Sequence, residues 1–545
     1  MASQSLKTFK ILPILGLKTN VPQNDPSLFQ FLGDTVAATH DVGGMNIDYN
    51  RKINAATKSF GSTAWSNDAT SEATRCLGLF ELYDGTYRDY IYFDNGKVFR
   101  HDDAGDPTEI TASPAVLFNR KSSDICSIIK VGDHIVWSDN GGNTPYKWKH
   151  GDTNSSKLAA SGNEYEFKHI ENFQRRVIGA YDTTTDTSID DDDGNISVRW
   201  STSWPSTAVT ALNFPSTNQY YIPNDDPITG VRVMGRDRCF IYCEDSIQLL
   251  TATSIYSTPF AIKNVQEKVG ATVNSSIISL GDRHFMFNKY YGFCEFRGGQ
   301  FPHNGRPISW DIDASLQDIR VEYMDRIVGT FVPLTNELCW TGPFGGSFEN
   351  DTFFFYSLDT GKWRKEDKVH SYVDVWHLAD NTVWADWILA LPSYSTGVWT
   401  EADTNSWDED TEPNNRLTYS MNDGKAYYQI GETMPSTANL DGYRIEPILD
   451  FGDSTRDDLL EEIWFEMGVV GAYSIDVSHR SGDTVGELIA QSWTALDSVS
   501  CNSPADAVVR TSKNAKLHQI KWGTNLDSEK FEVNGITFKY KNKGR

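Results

Sequence analysis

The sequence predicts an all-β protein built from small antiparallel sheets that repeat along the chain. Residues 229–296 run through strand, tight turn, strand, turn and strand, and then repeat that order. The turn residues Asp237 and Asp282 lie 45 positions apart, a period typical of a four-stranded propeller blade. Aromatic residues make up 12% of the chain, which favours half-buried strands over a large helical core. We therefore predict a β-propeller of about six blades.

The N-terminal residues 1–60 are predicted to form an irregular arm. Residues 16–20 and 22–26 are rich in Gly, Asn and Pro, which favour turns. Only 45–49 and 53–60 have strand character.

Residues 61–430 are predicted to form the propeller, with acidic loop insertions. Strand-and-turn units recur in residues 75–99, 125–148, 169–200, 229–250, 277–296 and 319–363, and a further unit starts at 372. The turns lie at Asp84, Asp133, Asn172, Asp237, Asp282 and Asp325, at intervals of 49, 39, 65, 45 and 43 residues. Such regular intervals indicate stacked equivalent units, with insertions in loops.

Two parts of this region stay open at the level of sequence. Residues 393–415 are polar and then acidic, and they form either an exposed loop or a boundary. The hairpin in 417–428 either closes the propeller or bridges to the next domain.

Residues 431–545 are predicted to form a separate β-sandwich or jelly-roll-like domain. Polar and apolar residues alternate strictly in 474–478 and 536–540. This period of two indicates a sheet that is buried on one face only. About seven such strands in about a hundred residues are typical of a sandwich.

The acidic insert 182–195 raises the question of a calcium loop. If Gly194 takes the sixth loop position, Asp191 and Asp193 take the third and fifth. Ile189 and Trp200 then occupy the first and twelfth positions, where calcium needs oxygen ligands. A solvated acidic loop is the better interpretation.

Overall charge and cysteine content limit the function classes. The formal net charge of −25 argues against a protein that binds phosphate backbones tightly, but not against a protein surface along which DNA slides. The seven cysteines are scattered through apolar stretches, which predicts buried reduced thiols rather than a disulfide framework. No stretch reaches the roughly 18 apolar residues of a membrane span.

We searched for catalytic and cofactor motifs and predict none. The sequence has no Walker loop, no His-Glu-x-x-His motif and no paired Cys-x-x-Cys set. Cys239 and Cys243 would share a strand face, where packing explains them better than metal binding. We therefore expect no catalytic, cofactor-binding or metal-binding residue, no cofactor and no enzymatic activity.

Residues 357–363, Ser-Leu-Asp-Thr-Gly-Lys-Trp, are similar to the Asp-box of sialidase-type propellers but are one residue shorter. In that family the box is a structural turn between blade strands, away from the catalytic residues. The resemblance therefore favours a propeller and not an active site.

The chain as a whole resembles the tail nozzle proteins of tailed bacteriophages, β-propeller proteins that close the short tail beneath the portal and adaptor rings. The resemblance rests on residues 15–20 and 44–48, on Trp200 and Ser201 with 220–223 and 228–250, on 269–270, 275–277, 285–287 and 292–296, and on 536–540 with the final Gly544 and Arg545. These motifs are short, but they extend over most of the chain.

The resemblance implies a structural virion protein of the tail, assembled in the cytoplasm of the host bacterium. It implies a homo-hexameric ring that gates and conducts double-stranded DNA during retention and ejection, without sequence-specific binding. Its partners would be the adaptor or head-to-tail connector ring and the tail fibres or needle. It carries over no catalytic residue.

Two alternatives come from other classes of function. A secreted propeller that binds or hydrolyses host-surface glycans would share the blades and the turn in 357–363. A distal receptor-binding component of a virion would use the C-terminal sandwich for recognition.

Overall fold

The computed structural model describes most of the chain from residue 75 onwards and short parts before it. The described residues are 7–11, 43–45, 47–48, 56–58, 61–64, 75–377, 415–430 and 442–542, except 95, 103–104, 113–124, 160–163, 185–193, 205–211, 256–258, 300, 317–318, 320, 345–347, 422, 447, 452–456, 469–472, 503–506 and 525–530. Residues 185–193 of the predicted acidic insert, and the polar stretch 393–415 except Asn415, lie outside these residues.

The described residues are mainly β-strands joined by turns. The N-terminal strands are β1 (Lys7–Ile11), β2 (Gly43–Met45), β3 (Ile47–Asp48), β4 (Ala56–Lys58) and β5 (Gly61–Ala64).

From residue 75 the strands form one antiparallel sheet after another. The first three sheets comprise β6 (Gly78–Tyr83), β7 (Arg88–Phe93), β8 (Val98–His101) and β9 (Pro107–Glu109), then β10 (Ser127–Val131), β11 (His134–Ser138), β12 (Tyr146–Trp148) and β13 (Ser156–Lys157), then β14 (Phe167–Phe173), β15 (Arg176–Asp182), β16 (Ser197–Trp200) and β17 (Gln219–Tyr221). The next two comprise β18 (Ile228–Met234), β19 (Arg238–Cys243), β20 (Ser246–Ala252) and β21 (Phe260–Glu267), then the three strands β22 (Ile278–Leu280), β23 (Arg283–Asn288) and β24 (Gly292–Phe296).

Two more sheets complete this part of the chain. The sixth comprises β25 (Val328–Val332), β26 (Glu337–Gly342), β27 (Asn350–Ser357) and β28 (Trp363–His370). The seventh comprises β29 (Tyr372–His377), β30 (Asn415–Ser420) and β31 (Ala426–Ile430), and its fourth strand is β5.

Helical structure is sparse in the described residues and lies between strands. The two short α-helices are α1 (Asp313–Leu316) and α2 (Val485–Ala490). Turns of 3₁₀ helix lie at Gly194–Ile196, Pro223–Asp225, Asn274–Ser276, His303–Gly305, Ile308–Ile312 and Val321–Arg326.

The first strands of the seven sheets contact one another in a closed cycle. In order around the cycle these strands are β6, β10, β14, β18, β22, β25 and β29, and β29 contacts β6 again. A closed cycle of inner strands is a propeller-like arrangement, in which each sheet projects outward from a common axis.

Hydrophobic residues fill the spaces between neighbouring sheets. Trp340 of β26 stacks on Phe293 of β24 with ring centroids 4.4 Å apart, and its indole Nε1–H donates to the carbonyl of Ser276 at 2.9 Å. One core cluster joins Phe173 of the third sheet to Phe260 of the fourth. The cores therefore bind each sheet to the next.

Tight turns join the first two strands in each copy of the 45-residue repeat. Gly235 and Gly281 occupy these turns with φ angles of 68° and 57°. A left-handed backbone is favourable for glycine, which has no Cβ. The repeat found in the sequence therefore reflects the same hairpin made twice.

The structure adds detail to the sequence predictions at three points in this region. The described residues hold seven such sheets, not about six. The unit that begins at residue 319 does not open on a strand in its described residues, because Val321–Arg326 is 3₁₀ helix. The hairpin left open, 417–428, belongs to the seventh sheet, where β30 and β31 pair with each other and β31 pairs with β5.

The remaining strands form two further antiparallel sheets. Their strands are β32 (Gly442–Ile445), β33 (Asp458–Met467), β34 (Ser474–Gly482), β35 (Thr494–Ser500), β36 (Val508–Ala515), β37 (Leu517–Thr524) and β38 (Glu532–Asn542). One sheet has the order β3-β4-β38-β33-β36 and the other β2-β32-β37-β34-β35. A single core that includes Ile463 and Phe538 from the first sheet and Val477 and Trp522 from the second joins them.

The N-terminal segment is not an irregular arm where it is described. β1 pairs antiparallel with β38, β2 pairs with β32, and β4 pairs with β38. Phe9 of β1 packs edge-on against Phe451, with ring centroids 6.5 Å apart. Burial of apolar side chains against the C-terminal sheets therefore orders residues that lack helix or hairpin signals of their own.

Candidate functional site

The candidate site is a cavity of about 370 Å³ at one end of the ring of inner strands. Its lining comes from five of the seven sheets and the turns that precede or join their strands. The charged, polar and aromatic residues of the lining include Lys168, His169, Tyr181, Asn195, Glu244 and Asp325.

Hydroxyl groups fix the sheets to one another around the cavity. Ser127 Oγ accepts from the backbone N–H of Ile170 at 3.1 Å, which connects β10 to β14. Thr229 Oγ1 donates to the carbonyl of Ala271 at 2.7 Å, and Ser275 Oγ donates to the carbonyl of Ile327 at 2.6 Å. The cavity wall is therefore held by hydrogen bonds between segments far apart in sequence.

His169 lies in the wall of this cavity with only 8% of its surface exposed. Its Nε2 has no hydrogen-bond partner among the described residues. Burial lowers the pKa of the imidazole well below its ordinary value, and the charges of Lys168 and Arg232 lower it further. His169 is therefore neutral near pH 7 and offers one N–H and one lone pair.

Asn195 contributes a second polar atom to the wall. Its Oδ1 is buried and has no hydrogen-bond partner among the described residues. A buried carbonyl oxygen without a partner costs about 1–3 kcal/mol. His169 and Asn195 therefore leave two unsatisfied polar atoms beside one cavity.

Tyr181 is the aromatic residue of the cavity lining. It has a φ angle of 60° although it lies inside strand β15. A left-handed backbone costs roughly 1–3 kcal/mol at a residue other than glycine, and such residues concentrate at ligand sites. The ammonium of Lys168 lies over the Tyr181 ring, 4.7 Å from its centroid.

The charges around the cavity are mixed. Glu244 and Asp325 are exposed, whereas Lys168 is half-buried. Further along the inner strands, Arg232 Nη1 lies 3.5 Å from Glu171 Oε2 and joins β18 to β14. Loss of solvent raises the pKa of Glu171, and Arg232 opposes that rise.

A second acidic group lies where the first and last sheets meet. Asp374 of β29 is half-buried, and loss of solvent raises its pKa to about 7, with the charge of Glu81 raising it further. Glu81 of β6 forms an ion pair with Arg88 and accepts from the backbone N–H of His377. Asp374 therefore titrates near neutral pH, unlike an ordinary surface carboxylate.

The residues similar to an Asp-box form the turn between β27 and β28. The backbone N–H of Gly361 donates to the carbonyl of Ser357 at 2.9 Å, and the Nδ2 of Asn336 donates to Asp359 Oδ1 at 2.6 Å. Trp363 is buried, and its Nε1–H donates to the carbonyl of Ile308 at 3.0 Å. The turn has the structural role that the resemblance implies.

All seven cysteines are buried and free of disulfide bonds, as predicted. Burial raises the pKa of Cys76 and Cys243 to about 12. A thiol with so high a pKa is a poor nucleophile near pH 7.

Other kinds of site were sought in the described part of the chain. Nowhere in it do three or more His, Cys, Asp or Glu side chains lie together in a way that could hold a metal ion. Its helices are all too short or too polar to cross a membrane.

No family model matches this sequence, and no curated protein matches it. Among solved structures, the chain is similar to streptogramin B lyase, with 10% identity, a TM-score of 0.35, and coverage of 68% of this chain and 98% of that chain. It is also similar to the extracellular domain of the putative one-component system BT4673 from B. thetaiotaomicron, with 9% identity, a TM-score of 0.36, and coverage of 80% and 47%. Kluyveromyces lactis Hsv2 follows, with 12% identity, a TM-score of 0.30, and coverage of 60% and 97%. Similarities this distant carry no argument about function.

Sequence reasoning named no site residue, and the cavity shows why. Its lining residues lie between Ile125 and Asp325 in nine separate segments, and no motif connects them. The one usable signal was the polar Lys-His pair at 168–169, next to the third strand-and-turn unit.

Proposed function

We propose that this protein is a structural component of a tailed-phage virion: a subunit of the tail nozzle or hub ring below the portal and adaptor. In this proposal the propeller has seven blades, and the C-terminal sheets form a sandwich. Six copies surround a channel that retains DNA in the virion and conducts it during ejection. Adaptor ring, fibres or needle are the neighbours in the assembled tail.

The observation that carries the proposal is the way two N-terminal strands pair with strands far along the chain. β1 pairs with the terminal strand β38 over five residue pairs, from Lys7 with Tyr540 to Ile11 with Ile536. β5 supplies the outer strand of the seventh sheet through pairs such as Thr63 with Tyr428. A subunit that withstands the pressure of packaged DNA benefits from N-terminal strands that are held in place by pairing with distant strands.

The charge of the chain supports the same role. A net charge of −25 repels the phosphate backbone and keeps a passing DNA polymer from adhering. The cavity residues Glu244 and Asp325 add acidic groups at one end of the ring of strands. Binding of DNA through many Lys and Arg contacts would instead make passage slow and strongly dependent on salt.

Electron microscopy of particles from an infected host tests the proposal. We expect density for this chain as a six-fold ring at the end of a short tail, and particles without the chain that lose their DNA. A chain found outside the tail, or tails that form and retain DNA without it, would overturn the proposal.

A second experiment addresses the alternative of a glycan-processing enzyme. The purified protein is incubated with sialosides and with polysaccharides from host surfaces, and products are separated by chromatography. The structural role predicts no turnover, whereas saturable turnover would favour the enzyme.

A further inference from the structure

The cavity at the end of the inner strands has the size of a small-molecule site. Its volume of about 370 Å³ lies within the range of about 300–1,000 Å³ typical of ligand pockets. Its wall combines apolar residues such as Ile228 and Val273 with polar ones. That combination can enclose a guest and also fix its orientation.

Two unsatisfied polar atoms belong to residues of this wall. His169 Nε2 and Asn195 Oδ1 are buried and lack hydrogen-bond partners among the described residues. The final torsions of imidazole and amide groups have broad energy wells, so both groups can turn toward a guest at small cost. A ligand that forms hydrogen bonds with both atoms would remove the free-energy cost of burying them without partners.

The charge inventory disfavours a charged guest. An anion would meet the carboxylates of Glu244 and Asp325, while the Lys168 ammonium already interacts with the Tyr181 ring. A cation would be attracted by the same two carboxylates but repelled by Lys168, so the lining as a whole matches neither sign of charge. The neutral imidazole of His169, whose pKa is lowered by burial, adds no charge near pH 7.

Hydroxyl groups of a ligand would best satisfy the polar atoms of the cavity wall, because each hydroxyl both donates and accepts a hydrogen bond. Asn195 Oδ1 can only accept, whereas a neutral imidazole presents one donor and one acceptor. The ring of Tyr181 adds an aromatic surface held in a strained backbone conformation, with a φ angle of 60°.

We infer that the cavity formed by Lys168, His169, Tyr181 and Asn195 binds a neutral, hydroxyl-rich ligand, a mono- or disaccharide unit. The site is independent of the proposed tail role, since it concerns one subunit and not the ring of copies. An isolated, correctly folded subunit is therefore enough to test it.

The test is saturation-transfer NMR and calorimetry on the full-length protein at pH 7. The probes are glucose, galactose, N-acetylglucosamine and maltose, with inorganic phosphate and arginine as charged comparisons. We expect saturable binding of at least one saccharide and weaker or absent binding of both charged probes. Absence of saccharide binding, or tighter binding of phosphate or arginine, would overturn the inference.

Two variants locate the bound saccharide. Asn195→Leu removes the carbonyl acceptor, and Tyr181→Gly removes the ring while relieving the strained backbone. Each is expected to weaken saccharide binding by about tenfold, which corresponds to roughly 1.4 kcal/mol, or one good contact. Thermal unfolding confirms that both variants fold.

The matched control is Tyr221→Gly, in an exposed tyrosine of β17 that does not line the cavity. It should leave saccharide affinity unchanged within twofold. Equal loss of affinity in the control and in Tyr181→Gly, or unchanged affinity in both cavity variants, would place binding elsewhere and overturn the assignment.

Discussion

Asp374 shows how one residue at the junction of the first and last sheets can set the pH dependence of stability. Its pKa of about 7 lies above the ordinary value of 3.8, because burial and Glu81 disfavour the carboxylate. The folded state therefore holds a proton that the unfolded chain releases above about pH 4. Stability contributed by the protonated form is present at low pH and is lost as the pH rises toward 7.

We expect Asp374→Asn to stabilise the protein at pH 8, because a neutral amide removes the buried charge. The gain should be about 1–2 kcal/mol, discounted for the partial exposure of the side chain, and small at pH 4. Urea unfolding at both pH values measures the difference. The exposed Asp237→Asn is the control, and an equal effect from the two variants would contradict the explanation.

The buried pair His479 and His518 has the opposite dependence on pH. His479 Nε2 lies 3.0 Å from His518 Nδ1, and burial lowers their pKa values to about 3 and about 4, from an ordinary value of 6.5. The unfolded state then binds more protons than the folded state between about pH 6.5 and 4, so stability falls as the pH drops through this window.

His479→Gln should make stability less sensitive to acid, because the unfolded state then takes up about one proton fewer. The slope of the unfolding free energy against pH would fall by about 1.4 kcal/mol per pH unit at most, between the two limits. Denaturant midpoints measured at half-unit steps of pH provide the slope. His303→Gln, on a surface turn, serves as the comparison, and identical slopes in the parent and His479→Gln would refute the assignment.

At the scale of elements, strand β5 decides whether the ring of sheets is closed. Gly61–Ala64 pairs with β31 and supplies the outer strand of the seventh sheet. Proline has no backbone N–H to donate and its ring restricts φ, so it disrupts a paired strand.

Thr63→Pro is therefore expected to loosen β5 and to destabilise the seventh sheet by about 1 kcal/mol, the net contribution of one backbone hydrogen bond. Limited proteolysis should then cut near residue 64 much faster than in the parent. Thr63→Ala keeps the backbone N–H and should behave like the parent. Equal protease resistance of the proline variant would show that β5 does not hold the ring.

Much of the fold could be predicted from local signals, because each sheet is a series of hairpins. Polar and apolar residues alternate within each strand, and turn glycines such as Gly235 and Gly281 lie within about ten residues of the strands they join. The seventh sheet could not be completed this way, since Thr63 pairs with Tyr428. Strand β1 escaped prediction for the same reason, as Lys7 pairs with Tyr540.

The candidate site could not be predicted, because a cavity has no signal in any one segment. His169 of β14 and Asn195 of the 3₁₀ turn at Gly194–Ile196 line the same cavity only after these elements have folded. Their unpaired atoms can be recognised only in the folded chain, where burial removes them from water.

At the scale of the whole molecule, the net charge sets a repulsion between copies. Each copy carries a formal charge of −25, so copies repel one another at low ionic strength. Salt shortens the Debye length from about 30 Å at 0.01 M to about 8 Å at 0.15 M.

If the protein forms the proposed ring, association should strengthen as salt is raised from 0.01 to about 0.3 M. Sedimentation velocity at fixed protein concentration would show a growing fraction of the larger species. Sodium chloride and potassium chloride should act alike, because screening does not depend on the cation. Association that weakens with salt would point to contacts between opposite charges instead.

The pairing of β1 with β38 has a consequence for synthesis on the ribosome. Strand β38 begins about 520 residues after the end of β1, so at about 5–20 residues per second it is made roughly 30–100 seconds later. Until then β1 lacks its pairing partner and must stay unaggregated. Cells that express this protein should need a chaperone until release, and faster codons in the second half should raise the soluble yield.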